Sequence, residues 1–437
     1  MFGTSGIRGP VGETVTADLA LSVGRAVGVD ADRIVVGRDP RESGRLLTDA
    51  LAAGARECGA DVIDLGLAAT PTIARAVGWR DADAGVAITA SHNPAPDNGI
   101  KLWTPTGQAF DEQRRTTIER RIREEDWALA DWTGQGERTS WDGARQRHVE
   151  TLVDSVSIDE PLSVVVDVGN GAGGVTADAL AELGCSVETL NAQPDGSFPA
   201  RPSEPTEENC GTLAATVAAT DADLGIAHDG DADRMRAVAG DGSFLSGDVL
   251  LALFGREAAA AGDRVAVPVD TSLAVADALA EVGAETTRTP VGDVYVAERA
   301  SESDVVFGGE PSGAWIWPSE TLCPDGPLAA CRLAALVARR GSLAELAAEI
   351  ETYPIRRENV ETEEKAETME RVRELVAGRY DDVATLDGVR VDREDGWFLV
   401  RASGTQPLIR VTAEARDPDD ADAILEEAMS VLADADA

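Results

Sequence analysis

The sequence is poor in lysine and aromatic residues and has no long apolar run. Lys101 and Lys365 are the only lysines among 437 residues, and aromatic residues make up 4% of the chain. No uninterrupted apolar stretch reaches the roughly 20 residues that a membrane-spanning helix needs. The first residues also lack the basic region and apolar core of a secretory signal. We therefore expect a soluble protein that is not exported.

Cysteine is scarce as well. The five cysteines have no Cys-x-x-Cys spacing, and their odd number leaves at least one without a disulfide partner. Neither a disulfide framework nor a zinc site is therefore indicated. A reducing compartment suits such a chain, so we expect a cytoplasmic protein.

Positive charge is the largest deficit. The chain has 39 Lys and Arg against 79 Asp and Glu, a formal net charge of −40. Such a charge repels nucleic acid and anionic membranes, so we expect neither as a partner. The acidic, lysine-poor composition resembles that of haloarchaeal cytoplasmic proteins, with an ordinary acidic mesophilic protein as the alternative. The halophilic interpretation predicts unfolding at low salt, because salt screens the self-repulsion.

Three segments of the chain repeat one local pattern. A short run rich in β-branched residues ends at Gly or Asp, and an Ala- and Leu-rich stretch with helical spacing follows. Such βα units predict mostly parallel sheets with helices on both faces. From about residue 353 the pattern changes to a charged helical stretch (Glu361 to Ala377), alternating strands and a final helix. We expect three α/β domains and a smaller C-terminal α+β domain, with bounds 1–150, 151–246, 247–352 and 353–437, and at least one active site between domains.

Three carboxylates follow the strand predicted at 222–229. They stand at alternate positions of the run Asp229-Gly-Asp231-Ala-Asp233-Arg234. So many hard oxygen ligands suit Mg²⁺ or Mn²⁺, whereas the glycine and glutamate positions of an EF-hand are not matched. An acidic surface turn is the alternative interpretation. Arg234 favours the metal site, because a guanidinium beside a metal is suited to bind a phosphoryl group.

A second candidate loop is Thr89-Ala-Ser91-His92-Asn93-Pro94. It ends a strand predicted as buried, and Asn93-Pro94 turns the chain, so we expect Ser91 to be exposed at the strand end. The Gly-x-Ser-x-Gly elbow of a Ser-His-Asp hydrolase is absent. A structural loop serine is the alternative. Three cationic residues in other, Gly-rich loops favour a phosphate site: Arg8, Lys101 and Arg401.

The segment from Gly169 to Gly174 formally satisfies Gly-x-Gly-x-x-Gly between a strand and a helix. A dinucleotide site also needs an acidic residue at the end of the next strand, where this chain has Asn191. We interpret the glycines as a tight turn and a helix start.

These loops together resemble, in the same order and over nearly the full length, the motifs of the α-D-phosphohexomutase superfamily. This resemblance implies three related α/β domains and a smaller C-terminal α+β domain around a central cleft. The resemblance implies that Ser91 is a phosphoserine that carries the phosphoryl group, with His92 beside it. It implies Mg²⁺ bound by Asp229, Asp231, Asp233 and the phosphate of Ser91. The implied reaction interconverts hexose 6-phosphate and hexose 1-phosphate through a bound hexose 1,6-bisphosphate, which also serves as primer.

The resemblance also assigns residues to substrate binding. Arg8 and Lys101 match positions near the reacting oxygens, where they stabilise charge and assist proton transfer; a lysine base needs a lowered pKa. The sugar-recognition loop resembles Gly309-Glu310-Pro311-Ser312-Gly313, and the distal phosphate loop resembles residues 401–405. The implied binding residues are Arg234, Asp293, Glu310, Ser312, Arg401, Ser403, Gly404, Thr405 and Arg410.

The sugar is the open point. Phosphomannomutase/phosphoglucomutase enzymes often carry His where Asp293 stands, whereas Asp resembles the phosphoglucosamine mutases, and a carboxylate is a suitable partner for an ammonium. Archaeal relatives of several specificities share this Asp. We therefore expect glucosamine 6-phosphate as the substrate, with mannose or glucose phosphate as the close alternative. A sugar-phosphate-binding protein without catalysis is the distant alternative, and either a monomer or a homodimer fits.

Overall fold

The computed structural model describes residues 1–3, 6–403 and 407–436, which form four successive units, each built on its own sheet. The expected fold class is confirmed: three units are mixed α/β layers and the fourth is a smaller α+β unit. No helix in these described ranges combines the length and apolar character that crossing a membrane requires.

The first unit holds a six-stranded sheet in the order β1-β5-β4-β2-β3-β6. Neighbours from β4 to β6 are parallel, while β5 runs antiparallel to both β1 and β4. Its strands are β1 (Ile7–Pro10), β2 (Arg33–Arg38), β3 (Asp61–Leu67), β4 (Ala84–Ile88), β5 (Asp97–Trp103) and β6 (Arg138–Ser140). Its helices are α1 (Ala17–Gly28), α2 (Gly44–Glu57), α3 (Thr70–Trp79) and α4 (Glu112–Glu124).

The second unit has a four-stranded sheet in the order β10-β9-β7-β8, in which β10 is antiparallel. Gly169 and Asn170 both have positive φ and α6 begins at Gly174, as the tight-turn interpretation predicts. Helix α5 runs across residue 150, so this predicted boundary falls inside a helix. The elements are α5 (Ala144–Ser155), β7 (Ser163–Asp167), α6 (Gly174–Glu182), β8 (Ser186–Leu190), α7 (Gly211–Ala219), β9 (Leu224–His228) and β10 (Met235–Ala239).

The third unit has the sheet order β12-β11-β13-β14, with β14 antiparallel. One buried apolar cluster joins it to the second unit and contains both Val166 and Phe307. The elements are α8 (Gly247–Ala258), β11 (Arg264–Pro268), α9 (Leu273–Glu281), β12 (Glu285–Thr289), α10 (Asp293–Ala300), β13 (Val305–Gly309), β14 (Trp315–Ile316), α11 (Gly326–Arg340) and α12 (Leu343–Ala348).

The fourth unit is an antiparallel sheet in the order β15-β19-β18-β17-β16, packed against two helices. Its first strand was not expected from the sequence. This strand lies at the sheet edge and carries Arg356, Arg357 and Glu358, so it lacks the apolar alternation of a half-buried strand. The elements are β15 (Ile355–Glu361), α13 (Lys365–Ala377), β16 (Val383–Ala384), β17 (Val389–Asp392), β18 (Gly396–Ala402), β19 (Leu408–Ala415) and α14 (Pro418–Asp436).

Candidate active site

The serine and metal loops meet where two buried strands end. Ser91 lies shortly after β4 and Asp229 directly after β9, and the Ser91 Oγ donates a 2.5 Å hydrogen bond to Asp229 Oδ2. The expectation that Ser91 is exposed is wrong, since only 1% of it is accessible. A Cβ on Gly230 would lie 2.8 Å from the Ser91 carbonyl oxygen, so glycine permits this close approach.

The serine loop holds Ser91 in an unusual backbone conformation. Its φ is +52°, a left-handed value that a non-glycine residue seldom adopts. The Ser91 backbone N–H donates to Thr89 Oγ1 at 2.8 Å. The Oγ also lies 3.3 Å from Nδ1 of the neighbouring His92. The hydroxyl therefore faces both a carboxylate and an imidazole.

The three loop carboxylates form one buried cluster. Asp229, Asp231 and Asp233 each place an oxygen within 4.8 Å of the others. Burial and then the neighbouring carboxylates raise the pKa of Asp229 and of Asp233. Asp231 Oδ1 is buried without a hydrogen-bond partner among the described residues. An unsatisfied oxygen in an all-oxygen cluster fits a hard divalent cation.

Lys101 on β5 supplies the positive charge of this cluster. Its Nζ donates to Asp231 Oδ2 at 2.8 Å and to Asp233 Oδ2 at 2.5 Å. Burial alone would lower the pKa of Lys101, but the two carboxylates outweigh it and hold the pKa above its usual value. The lowered pKa that a lysine base needs is therefore not produced by this arrangement.

Two further cations approach His92. Burial, followed by the charges of Arg234, Arg8 and Lys101, lowers the pKa of His92 to about 2, so the imidazole is neutral. Arg8 lies on β1 opposite Gly99 of β5, and its Nε is buried without a partner among the described residues. The structure brings together His92, Arg8, Lys101 and Arg234, which were all expected in one site.

The sugar-recognition candidates lie on the third unit and contact the metal loop. The Met235 N–H donates to the Gly313 carbonyl at 2.9 Å, directly after Arg234. Glu310 accepts from the Gly292 N–H at 2.7 Å and from the Ser312 hydroxyl at 3.1 Å.

Electrostatics also place Asp293 in this group. Burial and then the charge of Asp293 raise the pKa of Glu310 to about 7, against the opposing effect of Arg234. Asp293 is the first residue of α10, and its charge also acts on Lys101. Two carboxylates of the third unit therefore face the cations of the serine site.

The fourth unit places the distal candidates beside a cavity of 230 Å³. Arg401 and Arg410 are opposite each other in the β18–β19 register, and both line the cavity. Arg401 Nη1 donates to Asp387 Oδ2 at 3.0 Å, and the same oxygen accepts from the Val291 N–H. Ser403 is buried, and its carbonyl accepts a hydrogen bond from Lys365.

Two distal candidates, Gly404 and Thr405, lie outside the described residues. The other residues that line the cavity beside Arg401 and Arg410 were not predicted from the sequence, and they include Asp270 and Arg357. The available signal for Arg357 was the pair of adjacent arginines, Arg356 and Arg357, near the start of β15.

Two residues that were not predicted from the sequence, Thr70 and Arg41, hold the metal loop and the serine loop in place. Thr70, the first residue of α3, donates from its hydroxyl to Asp231 Oδ2 at 2.6 Å and from its N–H to the Asp231 carbonyl at 2.9 Å. Arg41 is fully buried under the serine loop. The signals were Thr70-Pro71 at a helix start and Asp39-Pro-Arg41 after β2, a strand that neighbours β4.

Four family models match the chain in succession. They are described as phosphoglucomutase/phosphomannomutase alpha/beta/alpha domains I, II and III and the C-terminal domain, and they match residues 1–129, 146–242, 246–353 and 358–431.

Individual relatives match over almost their whole length. A probable phosphoglucosamine mutase of Methanopyrus kandleri is 47% identical, and the match covers 99% of this chain and 97% of the relative. The solved structure of a phosphoglucomutase/phosphomannomutase family protein from Burkholderia thailandensis has a TM-score of 0.89 at 29% identity and covers 100% of this chain and 98% of the other. A putative phosphomannomutase from Thermus thermophilus has a TM-score of 0.81 at 28% identity, with 99% and 98% covered.

Proposed function

The chain belongs to the phosphoglucomutase/phosphomannomutase family and is a hexose-phosphate mutase, and from this premise we propose that its substrate pair is glucosamine 6-phosphate and glucosamine 1-phosphate. Ser91 carries the phosphoryl group in this proposal. Asp229, Asp231 and Asp233 bind Mg²⁺. The four domains of this proposal have the bounds expected from the sequence, except that the first boundary lies before α5, which runs across residue 150.

The observation that carries the amino-sugar proposal is the carboxylate pair of the third domain. Glu310 is buried beside Ser312, and the negative charge of Asp293 acts on it directly. An ammonium on the sugar ring would be stabilised by two carboxylates, whereas a neutral hydroxyl gains less from them. Mannose or glucose phosphate remains the alternative, because the same residues also accept hydrogen bonds from hydroxyl groups.

The proposed cycle begins with phosphorylated Ser91. The bond between phosphorus and Ser91 Oγ breaks as a bond to the free sugar hydroxyl oxygen forms, that hydroxyl loses its proton, and the serine oxygen takes one up. The product is a hexose 1,6-bisphosphate, which turns around in the cleft. Its other phosphoryl group then returns to Ser91 with the reverse proton movements, and the isomeric monophosphate leaves.

The residues around Ser91 have distinct roles in this cycle. Arg234, Arg8 and Lys101 provide positive charge near the phosphoryl oxygens, and such charge is a main source of rate enhancement in phosphoryl transfer. His92 is neutral and can form a hydrogen bond with the serine oxygen. Bound Mg²⁺ would neutralise phosphoryl charge at the same place. Arg401, Arg410, Ser403, Gly404 and Thr405 bind the phosphate that does not react.

The carrier role is tested with Ser91→Ala. This variant should fold and bind sugar phosphate but lose turnover, and intact mass should show no phosphoryl group after incubation with glucose 1,6-bisphosphate. Ser155→Ala, at the end of α5, is the matched control and should keep both turnover and the phosphoryl group. Full turnover in Ser91→Ala would contradict the proposal.

The substrate is tested by parallel assays on glucosamine, mannose and glucose phosphates with a bisphosphate primer. We expect the highest kcat/KM for glucosamine phosphate. Asp293→Asn should reduce this value roughly tenfold more than the value for glucose phosphate, since charge-assisted hydrogen bonds contribute about 1.5–3 kcal/mol. Equal losses on both sugars would contradict the proposal that Asp293 stabilises an ammonium on the sugar.

Setting and assembly are proposed from composition. With a charge of −40, the protein acts in the cytoplasm on a small sugar phosphate, without nucleic acid or membrane as partner, as a monomer or homodimer.

A further inference from the structure

Arg41 is a fully buried arginine that makes five hydrogen bonds to the region of Ser91. Its Nε donates to Asp39 Oδ2 at 2.9 Å. The other four bonds go to backbone carbonyls of the serine loop and of the first residue of β5, at 2.7 to 2.9 Å. Nη1 donates to Pro94 and Asp97, and Nη2 donates to Ser91 and Asn93. One side chain thereby holds the whole turn that follows β4.

These bonds use all the hydrogen-bonding capacity of Arg41. A guanidinium has five N–H donors, and each of the five has a protein acceptor here. No donor is left for a phosphoryl oxygen. Arg41 therefore differs from Arg8 and Arg234, and any effect that it has on the reaction passes through the loop.

A closed ring of hydrogen bonds links Arg41 to the backbone of Ser91. Arg41 donates to Asp39, and the Thr89 hydroxyl donates to the same carboxylate oxygen at 2.7 Å. Thr89 in turn accepts from the Ser91 N–H, while Arg41 donates to the Ser91 carbonyl. Both sides of residue 91 are thus fixed, at the one serine-loop position with a left-handed φ.

The second domain holds Arg41 in place from the other side. The ring of Phe198 lies 5.0 Å from the guanidinium carbon. A Cβ on Gly196 would come within 2.5 Å of the Arg41 Cα, so the two segments are in direct contact. Ser203 donates to the Asn93 carbonyl at 3.2 Å. Arg41 therefore lies between the serine loop and the domain that carries the metal loop.

We propose that Arg41 is a positioning residue for phosphoryl transfer, which holds the Ser91 backbone so that Oγ points at the metal loop. This inference rests on the proposed carrier role of Ser91. Without Arg41, four carbonyls lose a charged donor and the left-handed φ of Ser91 loses its support. A displacement of about 1 Å of a reacting group can cost roughly a hundredfold in rate. Binding of the sugar phosphate uses other residues and should change little.

The test compares Arg41→Gln and Arg41→Lys with the wild type. We expect kcat to fall roughly a hundredfold in Arg41→Gln, with KM within about twofold, and less in Arg41→Lys, since lysine keeps three donors. The direct readout is the rate at which glucose 1,6-bisphosphate phosphorylates Ser91, followed by quenching and intact mass, per folded molecule by circular dichroism. This rate should fall with kcat.

Arg75→Gln is the matched control. Arg75 is also a buried arginine; its Nε donates to Asp325 Oδ2 at 2.7 Å, and among the described residues it has no hydrogen bond to the serine loop. The Arg75→Gln variant should be less stable than the wild type, while the rate of Ser91 phosphorylation per folded molecule stays at the wild-type value. Thr89→Val breaks the ring at another point and should slow phosphorylation in the same direction, which keeps the test valid if Arg41→Gln fails to fold.

The inference would be overturned if phosphorylation per folded molecule were unchanged in Arg41→Gln and in Thr89→Val. It would also be overturned if KM rose while kcat stayed constant. Ser91→Ala separates the two hypotheses. Turnover in Ser91→Ala refutes the carrier role itself, whereas an inactive Ser91→Ala together with a normal Arg41→Gln refutes only the positioning role.

Discussion

Replacing Lys101 with methionine should destabilise the protein by removing the cation of the carboxylate cluster. Lys101 Nζ contacts both Asp231 and Asp233, and all three side chains are nearly inaccessible to solvent. Removing one partner of a buried ion pair costs about 3–5 kcal/mol, because the other charge stays buried. Molar salt screens such a buried contact only weakly.

The size of the expected shift follows from chain length. An unfolding entropy of about 2.1 cal/mol/K per residue gives roughly 0.9 kcal/mol/K for 437 residues that unfold together. A loss of about 3–5 kcal/mol then lowers Tm by roughly 3–5 °C. Differential scanning calorimetry with a chelator in molar KCl measures this shift.

Lys365→Met is the matched control, since Lys365 is the other lysine and donates to a backbone carbonyl, that of Ser403. Loss of this hydrogen bond should cost about 1 kcal/mol, the usual value for one hydrogen bond. Added Mg²⁺ should stabilise Lys101→Met more than it stabilises the wild type. The stabilisation can reach about 2.7 kcal/mol at a hundredfold excess over Kd. A Lys101→Met variant that melts with the wild type in chelator would refute the reasoning.

Three further outcomes are expected. The pKa of Glu310 is about 7, so its carboxylate becomes protonated as the pH falls below that value. As the pH is lowered from about 8 to about 6, KM for glucosamine phosphate should therefore rise relative to KM for glucose phosphate. A constant ratio of the two KM values would contradict this. Ala232 has φ +58°, so Ala232→Gly should keep or raise the unfolding free energy in urea titrations by about 0–1 kcal/mol, whereas Ala179→Gly within α6 should lower it. Finally, Tm should fall strongly from molar to millimolar KCl if the charge of −40 reflects a halophilic protein; an unchanged Tm would leave only the acidic mesophilic alternative.

The strand that precedes the three aspartates and most other strands were predictable because their signals are local. A short apolar run that ends at His228 or Gly309 marks a buried strand, and the alternate aspartates from Asp229 onward predict a cation site, with no knowledge of distant residues. The edge strand β15 was missed because its charged side chains face solvent and carry no apolar period.

Tertiary structure alone decided the environment of these residues. Ser91 was expected to be exposed and is buried, because Gly230 and Arg41 cover it from loops that are far away in sequence. Lys101 matched a family position, yet its pairing with Asp231 and Asp233, which raises its pKa, depends on two domains meeting.

The sequence by itself determined which chemical groups the protein has and which strand end carries each of them. The packing of the first domain against the second decided that Ser91, Asp229 and Arg41 share one buried volume. Burial and charge act through space, and the order of strands in a sheet differs from their order in the chain. The shifted pKa values of Lys101 and His92 therefore arise only once the domains have come together, whereas the five hydrogen bonds of Arg41 arise when the first domain folds.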